Sequence, residues 1–210
     1  MQNKQHKKIR TLVQMAVLIA IMLMLELTGL GMLKIGFLEM TILQFPVIVG
    51  AILMGPTAGA GLGLVFGLIS FWECFGKSAF GVVLLSINPF FTFLVCVPTR
   101  VLMGFLCGWI FSCMYKLMIS GKSHVNQGIR IIPYVIASLS GALINTLLFM
   151  GVLLALFGST DYIAGFMQMA GTQNLILFAC WFVGIQGLVE ALLCAFLGTV
   201  ISRAMNAILK

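Results

Sequence analysis

Charge is what this chain has least of. Asp, Glu, Lys and Arg make up 8 % of its 210 residues, against about 25 % in an ordinary soluble domain. The apolar fraction is 61 %, and no soluble domain of this length hides that much apolar surface. Alternation of apolar and polar residues is also missing. Long unbroken apolar runs exclude a transmembrane β-barrel and leave a polytopic helical membrane protein. The two histidines, His6 and His124, fall in polar connecting segments, which excludes an intramembrane His-ligated metal and a Ser-His hydrolase. The six cysteines contain no CxxC spacing, so neither a zinc site nor a disulfide framework is indicated. Five of them lie within apolar helices, where a thiol behaves as a small hydrophobe. Glycines at Gly59, Gly63 and Gly67 follow no strand and precede no lysine, so they are not a phosphate loop. There is no nucleophile–base arrangement and no haem-ligand pair. The chain is expected to bind a ligand rather than transform it, to need no cofactor, and to be unable to hydrolyse a nucleotide by itself.

What charge there is has a pattern. Lys4, Lys7, Lys8 and Arg10 precede the first apolar run, Lys116, Lys122 and Arg130 cluster between two later runs, and Arg203 and Lys210 close the chain. Those nine basic residues share one side of the membrane in a six-span topology with both termini cytoplasmic, as the excess of basic residues in cytoplasmic loops requires. Lys34 and Lys77 fall outside. The net charge of +7 is thus a topology signal and implies no nucleic-acid partner.

A helix needs about 20 apolar residues to span a bilayer. Apolar runs place helices at about 9–28, 41–54, 57–71, 89–117, 131–157 and 173–202, forming one transmembrane domain over residues 1–210. The first run exceeds the apolar core of a signal peptide and lacks a small-residue cleavage site, so it is expected to be retained. Residues 29–40 read as an ordered outer loop containing Lys34 and Glu39. Residues 72–88 and 158–172 read as loops, and Gly55-Pro56 as a turn. In the third helix, small residues every four positions let another helix approach closely in lipid.

Arg100 stands inside the fourth helix, in the run Val97-Pro98-Thr99-Arg100-Val101. A charge at membrane depth costs at least about 2.5–3.5 kcal/mol on insertion scales and marks a functional site by default. Arginine cannot shed its proton to escape that cost. It lies on the order of 16 Å along the helix from Asn88, within reach of an outward-facing cavity. Three partners are open: an anionic substrate, Glu190 as a buried structural pair, or the carbonyls of a kink at Pro98. The other intramembrane polar groups are Asn145 with Thr146, Asn174 with Gln173, Gln186, and Glu190. Glu190 counts toward the cytoplasmic half, as a pairing or proton-linked group. On the first helix Ala16 and Ala20 form a small-xxx-small face of the kind that docks another helix.

The run from Thr41 to Pro56, Thr41-Ile42-Leu43-Gln44-Phe45-Pro46-Val47-Ile48-Val49-Gly50-Ala51-Ile52-Leu53-Met54-Gly55-Pro56, with the glycines to Gly67, resembles the second and third helices of energy-coupling factor (ECF) transporter S components. Pro98-Thr99-Arg100 with Gly104, the stretch Gly141 to Thr146 around Asn145, and Glu190 resemble the rest of that pattern. The likeness covers roughly residues 10–203 and is nearest to the pantothenate and folate branch. It implies a six-helix S-component bundle in the bacterial plasma membrane that captures an extracellular vitamin. The pocket would lie near the outer face, closed by the loops after helices one and three. It also implies that the Ala16/Ala20 face docks on a transmembrane coupling subunit carrying two ATPases, and that the subunit topples to release substrate inside. One arginine favours one carboxylate. Pantothenate fits, with hydroxyl and amide groups for Asn88, Asn145 and Asn174 and with Lys34 as added charge. Folate, riboflavin and a queuosine precursor are alternatives, and a non-transport membrane scaffold is the rival class.

Overall fold

The computed structural model describes residues 2–29, 31–35, 38–119, 127–169, 171, 174, 187 and 190–208. Gln173, Cys180, Gln186 and most of the first half of the last expected helix lie outside the described residues. Eight α-helices and one short hairpin appear among those described. Helix α1 (Gln2–Leu27) is followed by β1 (Met32–Ile35) and β2 (Leu38–Thr41), then α2 (Gln44–Met54) and α3 (Pro56–Glu73). Next come α4 (Ala79–Ile87), α5 (Pro89–Met118), α6 (Gln127–Phe157) and α7 (Asp161–Met169). Helical residues from Glu190 lead through a π-helical turn, Cys194–Gly198, into α8 (Thr199–Ile208). Three helical segments, Lys8–Leu27, Pro89–Met118 and Arg130–Phe157, are long and apolar enough to cross a membrane, and Gln44–Met54 and Glu190–Ile201 are shorter apolar helices.

Several expectations change in detail. The segment after α1, expected to be an outer loop, is an antiparallel hairpin in which Met32 faces Thr41 and Lys34 faces Glu39. The second helix therefore starts at Gln44, because Thr41 still belongs to β2. Residues 72–88 are not all loop. Ser78 caps α4 by accepting a hydrogen bond from the Gly81 amide, and such a cap offsets one of the unpaired N–H groups of a helix start. α7 likewise occupies most of the segment expected to be loop. Both helices have nine residues, too short to span, and polar residues on either side disguise them. Gly55 joins α2 to α3 at φ 93°, in the left-handed region that glycine adopts freely. Pro56 follows at the first helical position, where its missing N–H costs nothing.

The core is centred on α5, gripped between α3 and α6. Gly59 of α3 and Gly104 of α5 lie backbone to backbone, and a methyl group on Gly63 would overlap the carbonyl of Arg100. Without a hydrophobic driving force between helices in lipid, this close approach is the main source of their attraction. On the other side, Cys107 Sγ donates to the Ala137 carbonyl of α6 at 3.3 Å. Met22, Val47, Leu62, Phe66 and Met103 fill the space between α1, α2, α3 and α5. Phe91, Phe157, Ile163 and Phe166 tie α5, α6 and α7 together.

Gly63→Ala forces α3 away from α5 and is expected to cost about 1–3 kcal/mol as an overpacking change. Gly61→Ala meets only the movable Met15 methyl at 3.1 Å and leaves the thermal midpoint near wild type. Equal midpoints for the two variants in detergent would contradict backbone contact at Gly63.

A candidate substrate site around Arg100

Pro98 sets the local structure. It supplies no N–H to the preceding turn, and its ring crowds the carbonyl four residues back. In that turn the Val95 carbonyl accepts from the Thr99 hydroxyl and from Arg100 Nη1, the latter at 2.9 Å. Arg100 Nη1 also reaches Thr99 Oγ1 at 3.2 Å. Of the three partners open to Arg100, the turn before Pro98 therefore takes one guanidinium nitrogen. The guanidinium lies over two rings, Phe149 of α6 at 4.6 Å and Phe66 of α3 at 5.4 Å. Aromatic faces attract a cation by their quadrupole, more so when water is excluded, and Arg100 is only 7 % exposed. Its Nε is buried without a hydrogen-bond partner among the described residues.

Glu190 does not pair with Arg100. Its carboxylate acts on Arg100 only at longer range, and its Oε1 accepts instead from the Thr41 backbone amide at 3.2 Å. Counting along the last helix put Glu190 toward the cytoplasmic half. In the structure it meets Thr41, the last residue of β2. The guanidinium charge thus has rings and carbonyl dipoles around it and, among the described residues, no carboxylate in contact, with the buried Glu73 and Glu190 acting on it only at longer range.

Beside it, Asn145 lies one helical turn from Phe149, on the same face of α6. Its Nδ2 donates to Gln44 Oε1 at 3.1 Å, and Gln44 Nε2 donates to Cys194 Sγ at 3.1 Å. Gln44 is fully buried. Asn145 Oδ1 is buried and has no partner among the described residues. One unpartnered donor, Arg100 Nε, and one unpartnered acceptor, Asn145 Oδ1, therefore stand on neighbouring helices. Leaving such groups unmade costs roughly 1–3 kcal/mol each.

Other expected site residues are placed apart from this cluster. Asn88 caps α5: its Oδ1 accepts from the Phe90 and Phe91 amides at 3.0 and 3.2 Å. Asn174 is exposed, unlike Arg100, Asn145 and Glu190. Lys34 stands in β1 opposite Glu39, and its side chain lies outside the described residues. Ala16 and Ala20 are both exposed on α1, in a face that also bares Leu12, Val13 and Val17. Sequence reasoning missed Gln44, Phe66 and Phe149. Gln44 left one signal, a polar side chain opening an otherwise apolar helix; the phenylalanines left none among the chain's 17. Missed also was an ion pair in which Lys77 Nζ meets Glu26 Oε1 at 2.5 Å. The hydrogen bond to Glu26 raises the Lys77 pKa above the usual lysine value. This pair joins the end of α1 to the turn after α3.

Residues 10–202 match the family described as ECF transporter, substrate-specific component. The chain belongs to that family. It is also 31 % identical over 170 residues to a curated protein of Leuconostoc mesenteroides subsp. mesenteroides, the pantothenate transporter PanT, across 79 % of this chain and 74 % of that one. As an ECF substrate-specific component the chain is an integral membrane protein, the substrate-binding subunit of a transporter. Its family is not an enzyme family. Such components bind small molecules and work with ECF transmembrane and ATPase modules. The buried cluster on α5 and α6 is thus the candidate place for a substrate.

The cap at Asn88 is testable apart from any ligand. Asn88→Ala should lower stability by about 1 kcal/mol, whereas Asn88→Asp, which keeps an acceptor at the cap, should hold it. Thermal unfolding of both variants without ligand checks this, and an unchanged Asn88→Ala protein would refute the capping role.

Proposed function

We propose that this ECF component captures pantothenate from outside the cell and presents it to a coupling subunit that carries two ATPases. The observation behind this reading is the buried guanidinium of Arg100, which has, among the described residues, no carboxylate in contact and a spare Nε. A desolvated, uncompensated charge is unfavourable until an anion arrives. A substrate carboxylate completes Arg100, and a hydroxyl or amide hydrogen of the same molecule completes Asn145 Oδ1. Pantothenate offers one carboxylate, two hydroxyls and one amide N–H. Its assignment is supported by the name of the Leuconostoc relative. Folate has two carboxylates and a large ring, and would use more cations than Arg100 alone.

On this reading the bundle has six spans with both termini cytoplasmic. The hairpin 32–41 and the turn after α3 cover the outer side of the pocket, joined by Glu26 and Lys77. The exposed Ala16/Ala20 face of α1 receives the coupling subunit, since small side chains let a partner helix come close. The scaffold alternative has Arg100 and Glu190 holding helices together as a pair, and the 3.2 Å bond from Thr41 to Glu190 speaks against it.

The detergent-purified chain should melt at a higher temperature with pantothenate than without. A ligand at 100 times its Kd adds about 2.7 kcal/mol to the native state by mass action. Folate, riboflavin and other water-soluble vitamins at the same concentration should give no comparable shift. Absence of a shift with every vitamin, in protein shown to be folded, would overturn the proposal. A larger shift with another vitamin would reassign the substrate.

Arg100→Lys keeps the charge and loses the planar fork. It should weaken pantothenate at least tenfold, about 1.4 kcal/mol, in protein that remains folded without ligand. A fall in the ligand-free melting temperature with affinity intact would mean that Arg100 serves the helix turn alone.

A further inference from the structure

Gln44 is buried at the first turn of α2, and both ends of its amide are in use. Its oxygen takes the Asn145 Nδ2 hydrogen at 3.1 Å, and its nitrogen gives a hydrogen to Cys194 Sγ at 3.1 Å. Three elements far apart in the chain meet in this relay: α2, α6 and the π-helical turn that begins at Cys194. π-Turns cost regular helix geometry and recur at functional sites.

A side-chain amide has a donor end and an acceptor end. Gln44 occupies the donor end of Asn145, so the end left over is Oδ1, which is buried and unpartnered among the described residues. Were the relay reversed, Asn145 would present an N–H instead and would welcome a carbonyl or ether oxygen.

Resting on the reading of this site as the substrate pocket, we infer that Gln44 is a positioning residue that sets substrate specificity. By holding the Asn145 amide in one orientation, it makes the pocket select carboxylates bearing a hydroxyl or amide N–H over those bearing only acceptors. Gln44 touches no substrate atom in this scheme. It acts through Asn145, while Arg100 supplies affinity for the carboxylate whatever the rest of the molecule carries. A site built around a hydrogen bond rejects the analogue lacking that group more strongly than an apolar pocket rejects an added one, because its own buried partner is left unmade.

The test uses the full chain and four probes: pantothenate, the two analogues each lacking one hydroxyl, and the analogue methylated on the amide nitrogen. The wild-type chain should bind one analogue at least roughly tenfold more weakly than pantothenate, the strength of one hydrogen bond in the pocket. Gln44→Met, similar in length and without hydrogen bonds, should lose that preference: pantothenate weakens to the level of the analogue, and the analogue itself changes less than twofold. Asn145→Leu should do the same, and adding Gln44→Met to it should change nothing further, since the two residues act in series. Arg100→Lys should weaken all four probes alike. Melting temperatures without ligand establish that each variant is folded. Binding of pantothenate with the preference intact in Gln44→Met, or equal weakening of all four probes, would overturn the role of Gln44 and leave the substrate reading standing. A wild-type chain that binds none of the probes would overturn both.

Discussion

The backbone contact between α3 and α5 is the constraint from which the surroundings of Arg100 follow. Glycine at Gly59 and Gly104 removes the side chains that would hold two helices apart, and Gly63 rests on the Arg100 carbonyl. With the axes that close, Phe66 of α3 is brought over the guanidinium. α6 on the far side contributes Phe149. Arg100 is therefore fixed at three points, by rings on two sides and by its own turn below. A lysine on a flexible stem has no planar face to be sandwiched and no second nitrogen to bond the turn. The packing thus explains both why a charge is tolerated here and why it is arginine.

Polar groups inside this bundle fall into two kinds. Some serve the fold and are saturated: Asn88 at its cap, the Thr92 hydroxyl on the Asn88 carbonyl, and the Thr99 hydroxyl on the Val95 carbonyl. Others are left with one unused valence, as with Arg100 Nε and Asn145 Oδ1. Buried polar atoms are nearly always paired, so those that are not call for an explanation. On the reading proposed above, the missing partner of both atoms is the substrate, which arrives and leaves.

Much of the architecture was legible in the sequence. Long apolar runs gave α5 and α6 within a few residues and the membrane-capable part of α1, Lys8–Leu27, but not its polar first turns from Gln2, and the Gly-Pro pair marked the α2–α3 turn, because hydropathy and backbone freedom are local properties. Arg100 and Asn145 were legible for the same reason, as polar groups where none is expected. The short helices α4 and α7 were not, since nine-residue elements bounded by polar residues carry the composition of loops. Nor was the site's second layer. Gln44 and Asn145 lie 101 positions apart, and Glu190 finds Thr41 across 149. Such partnerships depend on which helix faces rotate together, and a single sequence holds no record of that. The sequence left Glu190 open as a partner of Arg100, because the Thr41 backbone amide that bonds Glu190 carries no signature in the sequence.

That amide belongs to Thr41, and Gln44 follows three residues later. The connecting chain can stretch to only about 10–11 Å, so the hairpin and the amide relay are two ends of one short tether. A displacement of β2 larger than that slack is felt at Gln44, so the bond between Thr41 and Glu190 and the bond between Gln44 and Asn145 are mechanically coupled.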